Sequence, residues 1–357
     1  VFELQPLPRI GGGGAATGSD RFVQRKSDAA GFANFAILPS PCAACHGKNP
    51  GCAVQGNWAF EPVVELFVAN KIFFIMDQRI INLYDEYTHK PLTRKEFIER
   101  LAKLAGGTAA AMTLLPLLES CSTPAKTQSS ELFTEYITYP GVNGEMKAYV
   151  ARPKKEKPYA AVVVIHENRG LNAHIEDVAR RAAQAGYLAV APNALAPLGG
   201  TPADSDEARQ LFTTLKAEES LQNFVKVFDY LPTRKDCSGK FGCVGFCWGG
   251  LMANNLAVNV PSLRAAVAFY GRQPDAAEVP KIKAALQLHY ASLDERVNAG
   301  IGAFEEALKN AKVNYELFMY EGVQHAFHND TSAARYNEAA AKLAWQRTLA
   351  FFEKYLG

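Results

Sequence analysis

The chain has 357 residues, of which 48% are hydrophobic and 21% are charged, and its formal net charge is +2 at pH 7. This composition is ordinary for a globular protein with a sizeable core and allows one large domain with additions, or two domains. It argues against nucleic acid or an anionic membrane as a partner, and no stretch reaches the ~18 unbroken apolar residues of a membrane span. Seven unevenly spaced cysteines do not form a disulfide framework.

Residues 1–75 differ in character from the rest of the chain. They contain a run of four glycines at 11–14, scattered prolines and little periodicity, and the first methionine of the sequence is Met76. We hypothesise that the native protein starts at Met76, so that residues 1–75 are an upstream extension that is non-native or disordered.

One motif in this extension carries chemistry. Cys42 and Cys45 precede His46 in the Cys-x-x-Cys-His pattern of c-type haem attachment, and Cys52 would complete a Cys₃His zinc set. The flanks are rich in proline and glycine, with no helix to present the histidine. A haem- or metal-binding protein therefore stays only as an alternative to the main interpretation.

Residues 76–130 have the features of an export signal followed by a linker. The stretch 90–103 is basic, 104–118 is apolar, and small polar residues come next. Residues 93–98 resemble a twin-arginine motif in which Lys95 replaces the second arginine. We expect an exported, periplasmic protein if this segment is a signal and a cytoplasmic one otherwise. The alternative is an amphipathic helix over 93–118 that packs on the domain.

From residue 131 onward, strands and helices alternate. A hairpin is predicted at 134–139 and 145–152, and the apolar run at 160–165 is typical of a strand buried on both faces. Further strands are predicted at 187–191, 241–246, 265–270, 284–290 and 314–320, and helices at 174–185, 204–214, 218–230, 249–258, 300–310 and 332–355. This alternation predicts one α/β domain over 131–357, with a mostly parallel sheet covered by helices on both faces.

The strand at 241–246 runs into a turn with the pattern Gly245-x-Cys247-x-Gly249. This is the nucleophile-elbow pattern with cysteine in place of serine. The turn is sharp and strained, so the residues two positions away on each side must be small. The following helix would direct its N–H groups at a developing negative charge. The alternative is a glycine-rich turn with a buried cysteine.

Two further side chains follow strands in the order expected for a hydrolase triad. Asp294 follows the strand at 284–290 and His325 follows the strand at 314–320. Nucleophile, acid and histidine in this order match the α/β-hydrolase arrangement, and ligands of such sheets bind beyond these strand ends. Asp275 and Glu295 are the alternatives to Asp294, and His328 is the alternative to His325. We expect structural or surface roles for the remaining histidines of this region and its surroundings: His89, His166, His174 and His289.

Together these features resemble the dienelactone hydrolase (carboxymethylenebutenolidase) family of the α/β-hydrolase superfamily. The resemblance rests on the motif at 245–250, the loops of Asp294 and His325, and the segment 166–171 with its Glu167. It implies that Glu167 contacts the resting thiol and moves aside when substrate arrives. It also implies an oxyanion hole made by the backbone N–H groups of Trp248 and Asn168.

The resemblance implies a hydrolase for a small ester or lactone that acts through Cys247 and an acyl-thioester, without cofactor or metal. The family holds a substrate carboxylate with arginines, and Arg209 is the candidate before the elbow. After His325 the next arginine is only Arg335, which leaves open a general carboxylesterase with a different substrate. Tyr270 and Phe327 are further substrate-binding candidates. We expect a monomer or a weak dimer; a catalytically silent binding module is the remaining alternative.

Overall fold

The structure is a computed structural model that describes residues 25–27, 76–90, 92–119 and 131–357. The haem or metal motif at Cys42, Cys45 and His46 lies outside the described residues, and so does most of the extension 1–75. Both hypotheses therefore stay predictions.

The catalytic region is built on one sheet with nine described strands. They are β1 (Arg25–Ser27), β2 (Leu132–Pro140), β3 (Glu145–Pro153), β4 (Tyr159–Ile165), β5 (Leu188–Asn193), β6 (Cys237–Phe246), β7 (Leu263–Phe269), β8 (Ala285–Ala291) and β9 (Tyr315–Tyr320). Their order is β1-β9-β8-β7-β6-β4-β5-β3-β2. Only the β2–β3 and β3–β5 pairs are antiparallel. The mostly parallel sheet and the opening hairpin were both predicted correctly.

Helices cover both faces of the sheet. The described α-helices are α1 (Gln78–His89), α2 (Arg94–Ala105), α3 (Thr108–Glu119), α4 (Ala173–Gln184), α5 (Ser205–Phe212), α6 (Ala217–Tyr230), α7 (Trp248–Asn259), α8 (Glu295–Asn298), α9 (Ile301–Asn310) and α10 (Glu338–Leu356). One apolar core joins the sheet to α6, α7 and α9, and a second joins its other face to α4 and α10. This confirms the α/β-hydrolase fold. The last helix starts at Glu338, six residues later than predicted, because residues 332–337 form a loop.

Residues 76–119 form three short helices with a small core of their own. The ring of Tyr87 stacks on Phe97 at 4.4 Å, and Leu101, Leu115 and Leu118 are buried beside them. A capping box of Thr93 and Glu96 begins α2. The alternative prediction for 93–118 was one amphipathic helix. The structure has two helices there, α2 and α3, with an angle of 113° between them.

None of the described helices is by itself long and apolar enough to cross a membrane; α2 and α3 together have the length and composition of a span but are bent by 113° at the break between them. The predicted export signal and the localisation that depends on it stay predictions.

Candidate active site

Cys247 occupies the turn between β6 and α7 with a left-handed backbone, φ +57°. A Cβ on Gly245 would lie 1.8 Å from the carbonyl oxygen of Gly249, and a Cβ on Gly249 would lie 2.4 Å from the carbonyl oxygen of Ile165. No side chain fits at either position, which is the physical reason for the glycine spacing of the motif. The strained turn holds the thiol at the N-terminus of α7, where the helix dipole favours negative charge.

Asp294 and His325 come together at the ends of neighbouring strands. Nδ1 of His325 lies 2.5 Å from Oδ2 of Asp294, and both side chains are buried. The carboxylate also accepts from the N–H of Val297 at the start of α8, which fixes its orientation. Burial lowers the pKa of His325, but the charges of Asp294 and the Cys247 thiolate outweigh it and raise that pKa well above its usual value.

The alternative residues lie elsewhere. Asp275 caps a short 3₁₀ helix by accepting from the N–H of Ala277, and Glu295 is exposed. His328 is buried with its ring stacked on Phe246, 4.9 Å between centroids. The structure therefore pairs Asp294 with His325, as predicted, and gives the alternatives capping, surface and packing positions.

The Cys247 thiol hydrogen-bonds to a histidine that we did not predict. Nε2 of His89, the last residue of α1, lies 3.1 Å from Sγ, whereas Nε2 of His325 is buried without a hydrogen-bond partner. Burial would raise the pKa of Cys247, but the nearby His89 and His325 lower it to about 6. The lowered pKa favours the thiolate form of Cys247 near neutral pH. We expected a structural or surface role for His89; the structure places it beside the thiol, because α1 packs over the elbow.

Glu167 does not hydrogen-bond to the thiol in this conformation. Its Oε2 accepts from Nδ2 of Asn329 at 2.8 Å, and its Oε1 is buried without a partner. The expected contact with Sγ is made by His89 instead. The neighbouring Asn168 donates its side-chain amide to the carbonyl oxygen of Thr88 at 2.6 Å, which ties this loop to α1.

A cavity of about 380 Å³ opens onto Cys247. Its described lining includes the aromatic residues Phe212, Trp248 and Tyr270 and four basic residues (Lys90, Arg209, Arg272 and Arg296), but no carboxylate. Arg209 and Tyr270, two of the substrate-binding candidates, line the cavity. Phe327 does not: it is fully buried between the rings of Tyr270 and Tyr320.

The remaining histidines that we assigned to structural roles are buried in the fold. The N–H of Ala194 donates to Nε2 of His166, and Nδ1 of His166 hydrogen-bonds to the carbonyl oxygen of Glu167. The His166 ring stacks on Trp248. Burial lowers the pKa of His166 to about 4, so this ring is neutral at physiological pH.

Comparison with known proteins identifies the superfamily branch. The sequence model of the dienelactone hydrolase family matches residues 146–356, more than half of the chain.

The chain belongs to the dienelactone hydrolase family.

Relatives and solved structures agree with this assignment. A carboxymethylenebutenolidase homologue of Saccharolobus solfataricus is 32% identical over 256 residues, covering 61% of this chain and 97% of the relative. A fragment from Escherichia coli named as a hydrolase, YghX, is 47% identical over 107 residues, covering 28% of this chain and 92% of the fragment. The crystal structure of a dienelactone hydrolase homologue from Klebsiella pneumoniae has a TM-score of 0.57 and 29% identity, covering 63% of this chain and 99% of that one. This dienelactone hydrolase family member is accordingly a hydrolase that acts on esters.

His89, Cys247 and His325 also form a group that could hold a metal ion, since their nitrogen and sulfur atoms all lie within 4.8 Å of one another. This is the one such group among the described residues. Sulfur and imidazole are ligands that suit Zn²⁺. Two of these side chains, Cys247 and His325, are also the predicted nucleophile and base, and the prediction of a metal-free site stays a prediction.

Proposed function

We propose that this protein hydrolyses a small, negatively charged ester or lactone through Cys247 and an acyl-thioester. The observation that carries the proposal is the thiol itself: it lies on the elbow, at the floor of the cavity, with its pKa lowered to about 6 and with the Asp294–His325 pair beside it. A buried structural cysteine would have a raised pKa, as Cys243 inside β6 does.

In the first half of the reaction the thiolate attacks the carbonyl carbon of the ester. The negative charge that develops on the carbonyl oxygen is stabilised by the N–H groups of Trp248, at the start of α7, and of Asn168. A protonated imidazole gives its proton to the leaving alkoxide as the C–O bond breaks. The acyl group is then bonded to Sγ of Cys247.

In the second half His325 acts as a general base. Its Nε2 takes a proton from water, the hydroxide attacks the thioester carbonyl, and the C–S bond breaks to release the acid and restore the thiolate. Asp294 keeps the Nδ1–H of the ring pointing at its carboxylate, so that Nε2 is the basic nitrogen, and it stabilises the imidazolium that forms.

The cavity supports the substrate class. Four basic side chains and no carboxylate among its described lining residues favour an anionic substrate. The volume of about 380 Å³ is at the small end of the range for ligand pockets. Aromatic walls at Phe212 and Trp248 suit a planar or unsaturated acyl group.

The direct test is a panel of aromatic esters and lactones assayed with the full chain and its Cys247→Ala and Cys243→Ala variants. We expect Cys247→Ala to lose at least about 10³-fold in kcat, because the covalent step is abolished. Cys243→Ala is the matched control inside the strand, and its kcat should equal that of the unmodified chain. Undiminished hydrolysis by Cys247→Ala would refute the proposal.

A further inference from the structure

Two imidazole–carboxylate pairs converge on Cys247. The first is His325 with Asp294. The second is His89, whose Nδ1 lies 3.1 Å from Oδ1 of Asp85 and 2.8 Å from the Asp85 carbonyl oxygen, while its Nε2 lies 3.1 Å from Sγ. The two imidazole rings meet edge to face at 4.9 Å. Each ring therefore has Nδ1 beside an acidic residue and Nε2 directed at the reaction centre. For His89 the hydrogen bonds of Nδ1 go to the main-chain oxygen of Asp85 and to Oγ1 of Thr88, and the Asp85 carboxylate lies at ion-pair distance.

The two pairs differ in what they contact. The hydrogen bond to the thiol is made by His89, and Nε2 of His325 is left without a partner in a buried position. A buried basic nitrogen with no partner is costly unless a ligand or water satisfies it during the reaction. The geometry thus distinguishes the His89 nitrogen, which is hydrogen-bonded to the thiol, from the nearby His325 nitrogen, which makes no hydrogen bond and can bind water.

We propose that His89 is a second catalytic histidine, which accepts the Cys247 proton during acylation, while the Asp294–His325 pair activates water during deacylation. The inference rests on the proposed function, since it divides the two halves of that reaction between two bases.

The proton balance is complete without another reactant. The S–H electrons stay on sulfur and the proton moves to Nε2 of His89, which becomes an imidazolium. That proton then goes to the leaving oxygen of the ester when its C–O bond breaks. In deacylation the proton from water goes to Nε2 of His325, and the C–S bond breaks as the acid forms. His325 then gives its proton to the Cys247–His89 pair, which restores the resting state.

The position of His89 favours the charged form of its ring. It is the last residue of α1, where the helix dipole stabilises a positive charge. Burial lowers the pKa of His89, but the Cys247 thiolate and the Asp85 carboxylate outweigh it, and the net pKa is raised. Around the thiol and the two rings lie the charged and titratable groups Asp85 on α1, Asp294 and Arg296 at α8, Glu167 after β4 and Tyr270 after β7. The basic residues Lys90, Arg209 and Arg272 line the same cavity.

Helix α1 is fixed against the catalytic domain at several points close to His89. The Tyr87 hydroxyl donates to Asp206 at 2.8 Å, and the guanidinium of Arg209 lies 4.4 Å from the Tyr87 ring. The amide of Asn168 donates to the carbonyl oxygen of Thr88. These contacts join both sides of the cavity to the end of α1, so the segment that resembles a signal sequence supplies a wall and a base of the active site.

The experiment uses the full chain and the variants His89→Gln, Asp85→Asn, His325→Gln and, as the control, Gln78→Ala. Gln78 docks the far end of α1 through Gln324 and has no contact with the cavity. Rapid-quench kinetics with an activated ester measure formation and decay of the acyl-enzyme separately. Ultraviolet titration of the thiolate in each variant reports the pKa of Cys247.

We expect His89→Gln to slow acyl-enzyme formation by about 10²–10⁴-fold, with a raised thiol pKa and a nearly unchanged decay rate. His325→Gln should accumulate the acyl-enzyme because its decay is slowed. Asp85 is a positioning residue, so Asp85→Asn should give a smaller loss of acylation rate and a smaller rise of the thiol pKa. Gln78→Ala should match the unmodified chain.

An unchanged acylation rate and thiol pKa in both His89→Gln and Asp85→Asn would overturn the inference and make His89 only a wall of the cavity. That result is distinguishable from failure of the proposed function, in which Cys247→Ala itself would remain active. Thermal unfolding of each variant separates loss of chemistry from loss of fold.

Discussion

The guanidinium Nε of Arg296 lies 3.1 Å from Oδ2 of Asp85, and this ion pair joins the loop of Asp294 to helix α1. Asp85 thereby faces Arg296 on one side and His89 on the other. Burial raises the pKa of Asp85, but His325, His89 and Arg296 outweigh that effect and hold the carboxyl group ionised. The N-terminal helices and the catalytic domain thus share one partly buried network of charges beside Cys247.

Besides its ion pair with Asp85, Arg296 has a free hydrogen-bond donor in the cavity, which predicts a preference for substrates that carry a carboxylate. Its Nη2 is buried without a hydrogen-bond partner, and the side chain lines the cavity. A charge-assisted bond to a substrate carboxylate contributes about 1.5–3 kcal/mol. In Arg296→Met, we expect kcat/KM for an ester that carries a carboxylate to fall about 10–100-fold more than for its neutral analogue.

The comparison of two esters in one variant removes the effect of Arg296 on Asp85, since both substrates experience it equally. Arg264→Met, which removes an exposed charge at the start of β7, is the control and should leave both values unchanged. An equal loss for both esters would mean that Arg296 serves only to hold Asp85.

The glycine before the nucleophile predicts a large effect on stability. In Gly245→Ala the new methyl group would lie 1.8 Å from the Gly249 carbonyl oxygen, so the elbow must shift or the domain unfold. We expect a loss of at least about 3 kcal/mol in urea-induced unfolding, together with loss of activity. The matched change Gly302→Ala, in α9 with open space around it, should be neutral or stabilise by up to about 1 kcal/mol. Equal stability of the two variants would contradict this account of the turn.

The lowered pKa of Cys247 predicts selective alkylation. Below about pH 6 Cys247 is a protonated thiol, which reacts slowly with iodoacetamide, and above about pH 6 the reactive thiolate dominates. The rate of inactivation by iodoacetamide should therefore rise with an apparent pKa near 6 and then level off. Burial raises the pKa of Cys237 and Cys243, which should stay unmodified in this range. Peptide mass spectrometry at several pH values identifies the modified cysteine, and a midpoint near the ordinary thiol value of about 8.5 would contradict the prediction.

The elbow, the acid and the histidine could be predicted because each follows from local rules. Strained turns require glycine at fixed positions, and parallel strands bring residues at their carboxyl ends together whatever the helices between them do. Asp294 and His325 are 31 positions apart, yet each directly follows a strand of the same sheet.

His89 and Arg296 could not be found in this way, because their role depends on where helix α1 packs. Basic and apolar stretches in residues 90–118 fit a signal sequence as well as a pair of helices. The available indication was the i, i+4 spacing of Asp85 and His89, which places a carboxylate and an imidazole on one helix face. Similarly, Glu167 follows β4 as expected, but its hydrogen bond to Asn329 depends on the loop after His325.

The covalent intermediate tests the central claim most directly. His325→Gln protein mixed with p-nitrophenyl acetate, quenched in acid and digested with protease, should carry an acetyl group on the peptide that contains Cys247. The label should disappear on treatment with neutral hydroxylamine, as a thioester does. No acetylated Cys247 peptide, together with continued release of p-nitrophenol, would contradict the proposal that Cys247 is the nucleophile.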